Sequence, residues 1–107
     1  MEITEKSKLM GNYKENINVM KGSQLDFNGM ILGNIIVEDS STGIINGLVY
    51  GNIKIMPGAK AEINGSIHGT IYNHGGELAV YGTVNRIVTI AGETVIDTNA
   101  IVRKINV

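Results

Sequence analysis

The feature that most constrains this sequence is a repeat of 18 residues. The segment NGMILGNI at residues 28–35 returns as NGLVYGNI at 46–53, as NGSIHGTI at 64–71, and more loosely as YGTVNRIV at 81–88. A fixed period of about this length is typical of solenoids, in which each turn covers the apolar face of the turn before it. We therefore expect the chain to wind into stacked coils.

Apolar residues form vertical columns when the sequence is written in this register with one residue dropped between Asn73 and Glu77. Inward positions lie two residues apart within a coil, which is the alternation of a β-strand. The five predicted columns are Tyr13, Ile31, Val49, Ile67, Val84 and Val102; Ile17, Ile35, Ile53, Ile71 and Val88; Val19, Val37, Ile55, Asn73 and Ile90; Leu25, Gly43, Ala61, Leu78 and Ile96; and Leu9, Phe27, Ile45, Ile63, Val80 and Thr98.

Glycine forms further columns, which predict the corners of the coils because glycine can adopt positive φ and has no Cβ to obstruct a turn. In a helix each such glycine would cost roughly 1 kcal/mol. The predicted fold is all-β, a right-handed triangular β-helix (β-solenoid) of about six coils of 17–18 residues. It is a single domain over residues 1–107, with residues 1–12 as an N-terminal cap. The corner columns include Gly11, Gly29, Gly47, Gly65 and Gly82, and also Gly22, Ser40, Gly58, Gly75 and Gly92.

Composition argues against several classes of function. There is no cysteine for a disulfide or a thiolate metal site, and a net charge of −1 with 18% charged residues gives no bulk attraction for nucleic acid. No apolar run reaches the roughly 20 residues that span a bilayer, and the charged N-terminal segment lacks the apolar core of a secretory signal. We expect a cytoplasmic protein with no cofactor, metal, nucleic acid, membrane span or small-molecule substrate.

Two solenoid families compete for this pattern. An 18-residue coil is also three hexapeptides, as in the left-handed β-helix of hexapeptide-repeat acyltransferases. That family places a small residue two positions before each aliphatic one, where this chain has Ile35, Ile53 and Ile71. The segments GLVYGNI at 47–53, PGA at 57–59 and ING at 63–65 more closely resemble the coils of bactofilins, the polymer-forming cytoskeletal proteins of bacteria.

The resemblance to bactofilins extends over roughly residues 19–96 and implies a β-helical core and self-association. Bactofilins usually carry disordered tails, which this sequence almost lacks. A polar cap at residues 1–12 would also block one stacking end. These two departures favour a discrete complex over a filament.

Candidate catalytic residues are few. His68 and His74 are the only histidines, and no carboxylate is predicted beside His68, so both are expected to be surface residues rather than ligands or bases. Asn73 replaces an aliphatic residue in an inward column, where its amide needs backbone partners released by the shortened coil. The carboxylates are expected at turns or outward positions. The sequence predicts no enzyme activity.

The predicted binding surfaces are apolar. Alternation points Met30, Leu32, Leu48 and Tyr50 outward on adjacent coils, and an exposed patch of this kind marks an interface unless the N-terminal segment covers it. His68 shares the outward column of Leu32 and Tyr50, and Tyr72 is expected to extend the partner-binding set on the next face, as is Ile36. A second surface is the last coil, where Val102, Ile105 and Val107 are expected to expose core and strand edge to self-association.

Two functions follow from these surfaces. The first is a non-catalytic scaffold that interacts with protein, bactofilin-like, and self-associates through its terminal coils. The alternative is a small cytoplasmic immunity protein that neutralises a bacterial toxin through its flat face.

Overall fold

The computed structural model describes residues 1–106, and Val107 lies outside the described residues. Within residues 1–106 no helix has the length and apolar character that crossing a membrane requires. The described residues form twelve β-strands: β1 (Glu2–Ile3), β2 (Lys6–Tyr13), β3 (Ile17–Val19), β4 (Gln24–Ile31), β5 (Ile35–Val37), β6 (Thr42–Ile45), β7 (Leu48–Val49), β8 (Ile53–Ile55), β9 (Lys60–Ile63), β10 (Ser66–Val80), β11 (Thr83–Ile96) and β12 (Ile101–Asn106).

The strands stack in parallel on three faces, and all of the strand pairings are between successive coils. The first face contains β1, β3, β5 and β8, followed by residues 71–73, 87–89 and 105–106. The second face contains residues 6–9 and 24–27, then β6, β9, and residues 77–80 and 93–96. The third face contains residues 12–13 and 30–31, then β7, and residues 66–67, 83–84 and 101–102. The chain is a β-solenoid of about six coils, which confirms the predicted fold.

The core is built from the predicted columns through the first four coils. Ile17, Ile35, Ile53 and Ile71 pair in sequence at a spacing of 18 residues, and none of the four is exposed to solvent. β-branched side chains suit this position because they pack well on a pleated surface. The column that begins at Tyr13 also continues through Val84 to Val102, as predicted.

The fifth and sixth coils depart from the predicted columns. Asn85 alone occupies the turn that two residues fill in the preceding coil, so Thr70 pairs with Arg86 and Ile71 pairs with Ile87. This second shortening reverses the alternation that follows. Ile87 is buried, whereas Ile90 is 60% exposed. The prediction that Val88 and Ile90 point inward is therefore wrong.

The same shift changes the second face. Leu78 pairs with Thr94, and Val80 pairs with Ile96. Ile96 therefore belongs to the column of Phe27 and Val80, and the predicted inward position of Thr98 is wrong because Thr98 is exposed after the strand ends.

The hydrogen bonds of the Asn73 side chain show how the core accommodates the shortened coil. Its side chain is fully buried. Its Oδ1 accepts hydrogen bonds from the backbone N–H groups of Gly75 (3.1 Å) and Gly76 (2.8 Å). Its Nδ2 donates to the backbone oxygens of Gly76 (3.1 Å) and Glu93 (3.0 Å) and to Thr94 Oγ1 (3.2 Å). The predicted backbone partners at the shortened coil are confirmed, and Thr89 joins the polar cluster through a 2.7 Å contact between its Oγ1 and that of Thr94.

The corner between the first and second faces requires positive φ. At this corner Ser40 has a φ of 60° and is the one non-glycine residue of residues 1–106 in this region of backbone space; its counterparts Gly22 and Gly58 have φ of 77° and 80°. The corner between the second and third faces requires glycine for a different reason. A Cβ at Gly65 would overlap the backbone oxygen of Gly47 in the coil below.

Residues 1–12 form the first coil rather than a separate cap. β1 pairs with β3, and all eight residues of β2 pair in register with β4. Ile3 is 5% exposed, and Leu9 and Tyr13 pack against the core from this coil. The polar residues that suggested a cap occupy its outward positions and its turns.

Candidate interaction surfaces

An apolar patch lies on the third face. Met30 and Leu48 are paired neighbours in adjacent coils. Leu32 and Tyr50 follow at the edge of the same face and are 43% and 47% exposed. The structure thus places four of the predicted partner-binding residues together, pointing outward, and the first coil does not fold over them. We call Met30, Leu32, Leu48 and Tyr50 the third-face patch.

His68 extends this patch by stacking on Tyr50. The two rings occupy the same outward position in successive coils, and their centroids are 4.7 Å apart at an interplanar angle of 22°. This separation matches the spacing of neighbouring strands, so the stack follows directly from the repeat. His68 is exposed, as predicted.

Tyr72 is the one predicted partner-binding residue that the structure separates from the others. It lies on the first face, where it pairs with Lys54. Its ring stacks on His74, with centroids 6.3 Å apart. The predicted binding set is therefore divided between two faces.

The last coil exposes apolar side chains. Val102 is half-buried and packs against the core, whereas Ile105, which continues the column of Ile87, is 54% exposed. Ile101 is 61% exposed on the third face, and Val95 is 62% exposed on the second face. Val102 and Ile105, two of the residues predicted for self-association, thus lie on an apolar surface. Val107, the third, lies outside the described residues.

Two ladders of asparagine line the corners. At the corner between the third and first faces, Asn16 Oδ1 accepts a hydrogen bond from the backbone N–H of Asn34 (2.8 Å), Asn34 Oδ1 from that of Asn52 (2.7 Å), and Asn52 Oδ1 from that of Thr70 (2.8 Å). A second ladder joins Asn64 Nδ2 to Asn46 Oδ1 (2.8 Å). Sequence reasoning missed both ladders, although the spacing of 18 residues between these asparagines was the available signal.

Surface grooves are shallow features of the flat faces. One of about 420 Å³ lies on the second face, lined in part by Ile44, Glu62, Glu77 and Val95. Within residues 1–106 no three side chains of the metal-ligating types come together in an arrangement that could hold an ion.

The class of protein that this architecture defines is a β-solenoid with flat outer faces. Comparisons with protein-family models, with curated proteins and with solved structures found no match to this chain.

Proposed function

We propose that this chain is a non-catalytic, bactofilin-like β-solenoid scaffold that associates with further copies of itself through its terminal coils. The observation that carries the proposal is the exposure of Ile105. It occupies an inward position in the column of Ile87, yet it is 54% exposed, because no described residue stacks above it. Ile96 and Val102 lie in the same last coil and are half-buried.

The terminal coils offer two kinds of attraction. Burial of apolar surface contributes about 25 cal/mol per Å², so the three end residues together supply a few kcal/mol. Association itself costs at least about 4 kcal/mol, so apolar burial alone gives a weak contact. The edges of terminal strands add backbone hydrogen bonds, because a parallel strand with one neighbour leaves donors and acceptors free on its other side.

Sedimentation velocity over a range of protein concentrations tests this proposal. The wild-type chain, of 11.5 kDa, should increase in average mass with concentration. At about 0.15 M salt, where attraction between exposed charges is screened, Ile105→Asp should abolish the increase, because a carboxylate at the contact would lose its water. Tyr81→Asp is the matched control, since Tyr81 is 50% exposed but lies in the fifth coil away from the end. A wild type that stays monomeric at every concentration contradicts the proposal.

Binding of a discrete partner, such as a toxin neutralised by an immunity protein, is the second candidate. It is supported by the third-face patch and its Tyr50–His68 stack, because aromatic residues on a flat apolar surface are typical anchors of interfaces. Leu48→Ala combined with Tyr50→Ala should remove a co-purifying partner from the complex. A complex of unchanged stoichiometry and affinity after both substitutions counts against this function.

A further inference from the structure

The surface charge of this chain is divided between its faces. In the second to sixth coils every acidic residue lies on the second face or at one of its two corners, as the strand positions show. Arg86, Arg103 and Lys104 lie on the opposite side, at the C-terminal part of the third face and its corner with the first face. The net charge of −1 conceals this separation. The acidic residues are Asp26, Glu38, Asp39, Glu62, Glu77, Glu93 and Asp97.

Within residues 1–106 the basic group has no acidic neighbour of its own. Among residues 1–106 no carboxylate lies within 4.0 Å of the side-chain nitrogens of Arg86, Arg103 or Lys104; the only side-chain ion pairs there are Lys21–Asp39 and Lys60–Glu77, both at 3.9 Å. Arg86 Nε donates to Asn106 Oδ1 (2.8 Å), which leaves its charge uncompensated. These cations are therefore free to attract an acidic surface.

An acidic surface of the right shape is present on the same chain. The second face carries Ile44 and Val95 as outward apolar residues around its groove, which Glu62, Glu77 and Glu93 also line. Lys60 lies in the same groove and pairs with Glu77 at 3.9 Å, so the carboxylates there remain in excess. The third face also combines apolar residues with charge, but of the opposite sign: Arg103 lies beside Ile101 in the sixth coil, and the third-face patch lies on the same face in the second and third coils. Both faces are flat parallel sheets.

The apolar and charged residues of the two faces also lie at matching levels along the solenoid axis. When two copies lie side by side with parallel axes, Leu48 meets Ile44, because both lie in the third coil. Arg103 then lies near the level of Glu77 and Glu93, which belong to the fifth and sixth coils. Opposite charges across an interface favour the correct register and disfavour others.

We propose that the third face of one copy docks on the second face of a second copy, beside the end-to-end contact proposed above. The contact joins two different surfaces, so it generates a closed ring or an open array rather than a two-fold dimer. The proposal names the occupant of the third-face patch: a second copy of this chain rather than a foreign protein.

The contact is small. The molecule measures 30 × 25 × 19 Å, so one face offers at most about 750 Å², less than the roughly 800 Å² per partner of a stable interface. We therefore expect weak association that depends on salt. Exposed charges attract each other over a Debye length of about 30 Å at 0.01 M salt, but over only about 8 Å at 0.15 M.

Charge exchange provides the test. One variant, R103E/K104E, makes the third face acidic, and the other, E62K/E77K, makes the second face basic. All four side chains are exposed, so both variants should fold, which circular dichroism checks. In sedimentation at about 0.01 M salt, each variant alone should lose at least about tenfold in association constant, since like charges then face each other. An equimolar mixture should recover the wild-type average mass, because each altered face now meets its complement.

The control K54E changes the net charge in the same direction as R103E/K104E and by half as much, but Lys54 lies on the first face, off the proposed contact, and should leave association unchanged. If only R103E/K104E weakens association and the mixture recovers nothing, the lateral contact is wrong while the terminal-coil contact stands. If wild type is monomeric at about 0.01 M salt but binds polyglutamate through Arg103 and Lys104, the occupant is foreign and the proposal fails.

Discussion

Replacement of Ile53 by alanine should test the stacked core, with Ile90→Ala as its matched control. Ile53 is fully buried and lies between Ile35 and Ile71 in one column. Ile90 was also predicted to point inward, in the column of Ile55, but is 60% exposed. The two substitutions remove the same atoms, so any difference between them measures burial.

The expected losses of unfolding free energy differ several-fold between the two variants. Truncation of a buried isoleucine costs about 2–5 kcal/mol from lost transfer energy and the cavity left behind, and the neighbours of Ile53 in a stacked column cannot collapse into the space. Truncation of an exposed side chain stays within about 0.5 kcal/mol. With a urea dependence of about 1–3 kcal/mol per M, Ile53→Ala should lower the unfolding midpoint by roughly 1–3 M.

Urea unfolding followed by circular dichroism measures both effects. Each coil touches only its neighbours, so damage at Ile53 in the middle of the stack should destabilise the coils on both sides. Equal midpoints for Ile53→Ala and Ile90→Ala would refute the assignment of inward and outward positions in the last coils.

Two further predictions concern local geometry, and thermal unfolding measures both. Ser40→Gly should raise the free energy of unfolding by about 0.5–1 kcal/mol, since a non-glycine residue at positive φ is strained; a destabilised variant would show that the corner tolerates a Cβ. Asn73→Ala should lower the free energy of unfolding by at least about 3 kcal/mol, because it leaves several buried backbone groups unpaired. Asn52→Ala is the control: it removes one exposed acceptor and should lower the free energy of unfolding by about 1 kcal/mol. Similar losses for the two asparagine variants would contradict the role of Asn73.

The sequence was sufficient to predict the solenoid because one period governs both its apolar columns and its corner glycines. Prediction failed where the period changes. The segment Arg86–Ile90 reads RIVTI, in which one alternation points Val88 and Ile90 inward and the other points Ile87 and Thr89 inward, so hydrophobicity alone favours the first. The deciding facts are the single-residue turn at Asn85 and the hydrogen bond that lets Thr89 face the polar cluster, and both depend on contacts with the neighbouring coil.

The surfaces were predicted in part for a related reason. Alternation within one coil correctly pointed Met30 and Leu48 outward, and stacking of coils placed them together. Tyr72 was expected to extend this set on the next face, and the turn after Ile67 does carry it to the first face. The charge separation escaped notice because net charge sums over all faces, whereas a face is defined only once the coils are closed.

An engineered disulfide measures the central claim, that successive coils stack in parallel at a fixed register. The chain has no cysteine, so an introduced pair is unambiguous. Thr42 pairs with Lys60, and both point outward on the second face. Paired residues in adjacent strands are about 5 Å apart, within the range of roughly 4.4–6.8 Å that a disulfide spans between Cα atoms.

Thr42→Cys with Lys60→Cys should therefore form a disulfide under mild oxidation and raise the unfolding temperature. Thr42→Cys with Glu62→Cys, which lies two residues out of register at roughly 8 Å, should remain reduced. Mass spectrometry of the oxidised proteins distinguishes the two states. Bonding of the second pair and not the first would contradict the register on which the core, the faces and both proposed contacts depend.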